Sequence, residues 1–111
     1  MITYSDVRRL LDASVDGADI GAHRAFWRTL SRDDFLAYQV FGKIPLFALD
    51  SAGKLDPNES NLVKALEGRN PFGRDLGVPD AKYPRMPARL RAMAPADIQT
   101  IKDWITGGCP A

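Results

Sequence analysis

Apolar residues recur at helical spacing in four stretches of this chain, each bounded by residues that start or stop helices. The first stretch opens at Thr3, a good N-cap, with Asp6 three residues on in the manner of a capping box. Val7, Leu10, Leu11 and Val15 then mark one stripe, and Asp16-Gly17 ends it. A second stretch, from about Gly21 to Leu30, would bury Phe26, Trp27 and Leu30. Ser31 with Asp34 restarts or extends it through Phe35, Leu36 and Phe41, until Gly42 and Pro45 stop the pattern. The short apolar run from Ile44 to Leu49 reads as at most one extended strand, and Pro45 argues against a central ladder position. Ser60 caps the third clear helix, which buries Leu62, Val63 and Leu66 and has Gly68 as its terminator. The last helix begins at Pro95, suited to a first turn, buries Ile98, Ile101 and Ile105, and stops at Gly107-Gly108. Between these two helices, residues 69–94 carry Pro71, Pro79, Pro84 and Pro87 and predict an irregular loop. Loops of that length usually serve function or wrap a ligand. The pattern therefore predicts an all-α domain of about four helices, with a long Pro-rich loop before the C-terminal helix.

Composition narrows this picture without redirecting it. A chain of 111 residues reads as a single domain, 1–111, able to bury about two thirds of its unfolded surface. With 45% hydrophobic residues it can build a core without disulfides or metal. A single cysteine, Cys109, forms no internal disulfide, so cysteine usage marks no oxidising compartment. Fifteen Lys+Arg against fourteen Asp+Glu leave a formal charge of +1, with the signs interspersed. That argues against nucleic acid or an anionic membrane as partner. No apolar run approaches a membrane span. Met1-Ile2-Thr3 leads straight into a helical pattern rather than a secretory signal. Localisation stays open: cytoplasmic for a complete chain, periplasmic for one whose leader was trimmed.

The tail carries a more specific signal. Tyr83-Pro84-Arg85-Met86-Pro87 holds a methionine between prolines, and Asp97-Ile98 leads to Trp104-Ile105 and Gly107-Gly108. This arrangement resembles the closing third of small class I cytochromes c, and Ser60 to Gly68 resembles the middle helix of the same group. The likeness implies the cytochrome c topology, with first and last helices crossing and the third packed beside them. Leu10, Leu11, Ile101 and Trp104 are the candidates for that crossing. It also implies that Met86 stands where the family places one axial ligand of haem iron. At the front, Asp19-Ile20-Gly21-Ala22-His23 stands where the family has its Cys-x-x-Cys-His attachment motif. Asp19 and Ala22 occupy the cysteine positions and His23 the axial histidine position. Covalent haem would need both thiols.

His23 and Met86 are thus cofactor ligands only if haem binds without thioether bonds. Otherwise His23 is a hydrogen-bonded residue near a helix N-terminus and Met86 fills an irregular gap. A cleft that has lost its porphyrin must be filled, because voids are costly. Phe26, Trp27, Phe41, Leu46, Phe47, Phe72 and Met86 supply the bulk. Arg85, Arg89 and Arg91 form a basic cluster for an acidic partner or a haem propionate. Other chemistry is thin. His23, Met86, Met93 and Cys109 are too scattered to suggest soft-metal ligation, and Cys109 reads as an exposed or half-buried thiol at a frayed end. No motif points to acid–base or nucleophilic catalysis. The leading expectation is a haem-free, cytochrome c-like module for protein–protein interaction, not an enzyme, serving as a subunit or accessory domain of a redox enzyme. The alternative is an electron carrier holding non-covalent haem through His23 and Met86.

Overall fold

Thr3 and Asp6 close a reciprocal capping box: the Thr3 N–H donates to Asp6 Oδ2 at 2.9 Å and the Asp6 N–H to Thr3 Oγ1 at 3.4 Å. Helix α1 (Tyr4–Val15) starts there. The computed structural model describes residues 2–15, 26–40, 42, 44–86 and 93–111. Among the described side chains of α1, Tyr4, Val7 and Leu11 are buried and Leu10 packs at the edge, while the Val15 side chain lies outside them. The stripe thus begins one turn earlier than Val7. Tyr4 is amphipathic, which hides it from a hydrophobic pattern; its hydroxyl donates to the carbonyls of Leu30 and Trp27 at 2.9 and 3.2 Å.

The stretch expected to be helical up to Leu30 contains, among the described residues, a 3₁₀ turn at Phe26–Arg28. Asp12 ties that turn to α1 by accepting from Trp27 Nε1 at 2.7 Å and Arg28 Nε at 2.6 Å. Helix α2 (Arg32–Ala37) begins at Ser31, whose side chain accepts from the Asp34 N–H. It does not continue to Phe41, because Tyr38 turns extended and the chain reverses at Gly42, whose φ is 70°.

That reversal corrects the all-α expectation. Strands β1 (Gln39–Val40) and β2 (Ile44–Pro45) pair antiparallel, Gln39 opposite Pro45 and Val40 opposite Ile44. The fold is mostly helical but mixed. A two-stranded ribbon has only edges, so Pro45 sits in it without breaking a ladder. The rest of the apolar run leaves the ribbon: the Leu46 carbonyl accepts from the Leu62 N–H at 2.9 Å, and Leu49 makes an isolated bridge with Leu55.

Helix α3 (Asn61–Glu67) follows Ser60, but the Ser60 hydroxyl is not its side-chain cap. Fully buried, the hydroxyl donates to the Asp56 carbonyl at 2.6 Å and accepts from the Ala48 N–H at 3.0 Å. It staples the apolar run to the turn before α3. Gly68 ends the helix in the left-handed region as expected, and the Arg69 N–H returns to the Lys64 carbonyl.

Helix α4 (Pro95–Thr106) begins at the predicted proline and packs against both α1 and α3. Ile101 and Trp104 lie in the core with Leu11, while Leu10 is peripheral. Trp104 stacks on Tyr4 with ring centroids 6.0 Å apart, and Phe35 lies 5.2 Å from Tyr4 and 5.6 Å from Phe47. The C-terminus of α4 is a Schellman motif. The Cys109 N–H reaches the Trp104 carbonyl at 2.9 Å, and the Gly108 N–H reaches that of Ile105 at 3.0 Å.

This motif corrects the expectation for Cys109, which is 0% exposed rather than frayed. The residue after a Schellman glycine turns back onto the last helical turn. The tail is then pinned: the Pro110 carbonyl accepts from the Tyr4 N–H at 3.0 Å and Trp104 Nε1 at 2.8 Å. Arg32 donates to the carbonyls of Cys109 and Gly108 at 2.7 and 3.1 Å. Burial pushes the Cys109 thiol up to about 11, against a smaller lowering by Arg32.

Trp104→Ala should destabilise the fold by roughly 3–5 kcal/mol in a urea titration, the range for large aromatic truncations. A change below about 1 kcal/mol would refute the packing role given to Trp104. The raised thiol gives a second expectation. Its stability contribution is complete below the ordinary thiol range and lost as pH rises towards about 11. Urea midpoints should therefore fall less between about pH 8 and about pH 10 in Cys109→Ala than in the parent chain. Equal slopes would show that the thiol ionises as freely folded as unfolded.

Candidate functional site

The Pro-rich segment was expected to lack structure of its own, and it builds a closed loop instead. Lys82 and Tyr83 both donate backbone N–H groups to the Pro71 carbonyl, at 2.9 and 3.0 Å, and the Arg74 N–H returns to Tyr83 at 2.9 Å. Phe72 is buried beside Tyr83 with centroids 5.5 Å apart, not among the aromatics around Trp104. Asn70–Pro71 is a cis peptide, and the Asn70 amide donates to the Pro79 carbonyl. A 3₁₀ turn at Arg74–Leu76 follows Gly73, whose φ is 97°. A Cβ at Gly73 would lie 2.4 Å from the Gly68 carbonyl oxygen, so only glycine permits this backbone approach.

Two hydrogen bonds fix the end of the loop, one to the loop's own 3₁₀ turn and one to α3. The Arg85 N–H donates to Asp75 Oδ1 at 2.9 Å and the Met86 N–H to the Ala65 carbonyl at 2.8 Å. The side chains of Leu76 and Arg85 both approach Gly68: a Cβ there would lie 2.8 Å from Leu76 Cδ1 and 3.3 Å from Arg85 Cγ. Leu76 is nevertheless 57% exposed.

Arg85 also stands at a groove of about 430 Å³ between α3 and α4, lined with Leu66, Glu67, Met93, Pro95, Ile98, Gln99 and Lys102. Glu67 organises its charge. Oε2 takes Lys102 Nζ at 3.0 Å and Oε1 takes Arg69 Nε at 2.9 Å. Burial pushes the Glu67 carboxyl up, but the Lys102 hydrogen bond and the two cations outweigh it and hold it below its ordinary 4.5.

Of the residues singled out from the sequence, Arg85 and half-buried Met86 come together at the end of α3. His23, Asp19, Ala22, Phe41, Arg89, Arg91 and the side chain of Phe26 lie outside the described residues. Among the expected filling side chains, Trp27 and Leu46 join the core and Phe47 packs on it. Phe35, not included among them, is buried in ring contact with Tyr4, Phe47 and Trp104. Glu67, Lys102 and Met93 were missed as site residues. Their one signal is position: Glu67 and Lys102 each flank the buried stripe of a helix.

Covalent haem c does not fit these residues. It needs two thiols, and the chain's one thiol is sealed under the crossing of α1 and α4. Met86 and Met93 are the thioethers among the described residues, and Met86 is the one that stands at the position expected for an axial ligand. Among the described residues, no group of three or more His, Cys, Asp or Glu gathers to hold a metal ion, and no helix is long and apolar enough to cross a membrane. No family model, curated protein or solved structure matches the chain.

The depressed Glu67 carboxyl contributes stability that is complete above its ordinary range and lost as pH falls through its lower, folded value. Lys102→Met should therefore flatten the loss of urea stability between about pH 5 and about pH 3. An unchanged acid slope would mean that Lys102 does not hold Glu67 ionised.

Proposed function

We propose that this chain is a haem-free, cytochrome c-like module that works by binding a protein partner, as a subunit or accessory domain of a redox enzyme, and not by catalysis. The observation that carries the partner-binding reading is that exposed Leu76 and Arg85 both approach Gly68. An exposed apolar side chain and an arginine held on a loop closed by its own backbone bonds need little further ordering to be recognised. Arg85 is the described member of the basic cluster assigned to the partner. The cysteine chemistry supports the haem-free half of the reading. With no thiol at position 19 or 22, the interior has no covalent means of retaining a porphyrin.

Protein purified from cells should show no Soret band, and added haemin should give no stoichiometric low-spin spectrum. A one-to-one low-spin complex that disappears in Met86→Ala would replace this reading with an electron carrier using Met86 and His23. Haem found in the preparation should pass from denatured protein into acidified organic solvent. Haem that remains with the chain would overturn the assignment outright.

A further inference from the structure

We infer that the groove between α3 and α4 binds a small carboxylate that carries a short apolar chain. Leu66, Met93, Pro95 and Ile98 give the groove an apolar lining. Arg85 and Lys102 are its cationic lining residues. The lining carboxylate, Glu67, already has both oxygens engaged by Arg69 and Lys102. An ammonium has three donors, and among the described residues Lys102 spends one on Glu67. Positive charge thus exceeds negative among the lining side chains, above an apolar surface. That combination favours an anionic head joined to an apolar body over either part alone. The volume of about 430 Å³ falls within the range of small-ligand sites, roughly 300–1,000 Å³. This inference stands on the groove and is independent of the partner-binding role.

The test is a nitrogen-15 amide titration of the full chain near neutral pH with sodium hexanoate, with 1-hexanol and hexylamine at matched ionic strength as comparisons. Hexanoate should shift Leu66, Glu67, Ile98, Gln99 and Lys102 along one saturable curve, with a dissociation constant on the order of millimolar for so small a ligand. The alcohol and the amine should bind about tenfold more weakly or not at all. Lys102→Met should weaken hexanoate about tenfold. That variant also breaks the tie to Glu67, so Arg85→Gln, which leaves the tie intact, is the second arm and should weaken it in the same direction. Equal binding of hexanol, shifts scattered without saturation, or unchanged affinity in either folded variant would overturn the inference.

Discussion

The carbonyl oxygen of Pro110 joins the two ends of this fold. It accepts the N–H of Tyr4, one of the N-terminal donors that a helix cannot satisfy internally, and the indole N–H of Trp104. Two polar groups that would be costly to bury alone are satisfied by one acceptor, which holds α1 against α4 at the level of the aromatic cluster. Tyr4 passes the constraint on, since its hydroxyl reaches the carbonyls of Trp27 and Leu30 while its ring meets Phe35 and Trp104. Arg32, at the start of α2, closes the circuit through the carbonyls of Cys109 and Gly108. The thiol is buried as a consequence of this tail geometry rather than for any chemistry of its own.

Local chemistry was legible in the sequence. Thr3 with Asp6, Ser31 with Asp34, Gly68 and Pro95 each mark a helix end where side chain or backbone preference acts within a few residues. What was misread depends on distant partners. Ser60 does hold the N-cap position of α3, but its hydroxyl, instead of capping the helix, is claimed by Ala48 and Asp56. Phe41 looked helical by spacing, while the turn at Gly42 sends the neighbouring residues into a ribbon. Cys109 looked frayed because nothing near it in sequence shows that Pro110 is fastened to Tyr4.

The candidate site divides in the same way. Arg85 and Met86 stood out because prolines frame them, and backbone bonds to Asp75 and Ala65 do deliver them to one place. Glu67 and Lys102 could not be paired by reading along the chain, because they meet only when α3 and α4 pack. The resemblance to class I cytochromes c draws attention to Met86 and His23, whereas the described geometry draws it to the charged groove beside Arg85.

Glu67 links stability to that groove. A carboxylate between two cations is well compensated for its partial burial, so it can hold α4 to α3 without leaving an unpaired charge. Using both its oxygens in this way also removes it as an effective competitor for a ligand's carboxylate. Replacing it by a neutral residue would leave Lys102 and Arg69 facing each other beside Arg85, and the resulting repulsion would loosen the helix contact. The groove's positive character rests on Arg85 and Lys102, and the ion pair between α3 and α4 on Lys102 with Glu67, so the two share Lys102. A change at Lys102 therefore alters both the charge of the groove and the helix contact, whereas a change at Arg85 alters the charge and leaves the Glu67–Lys102 tie in place.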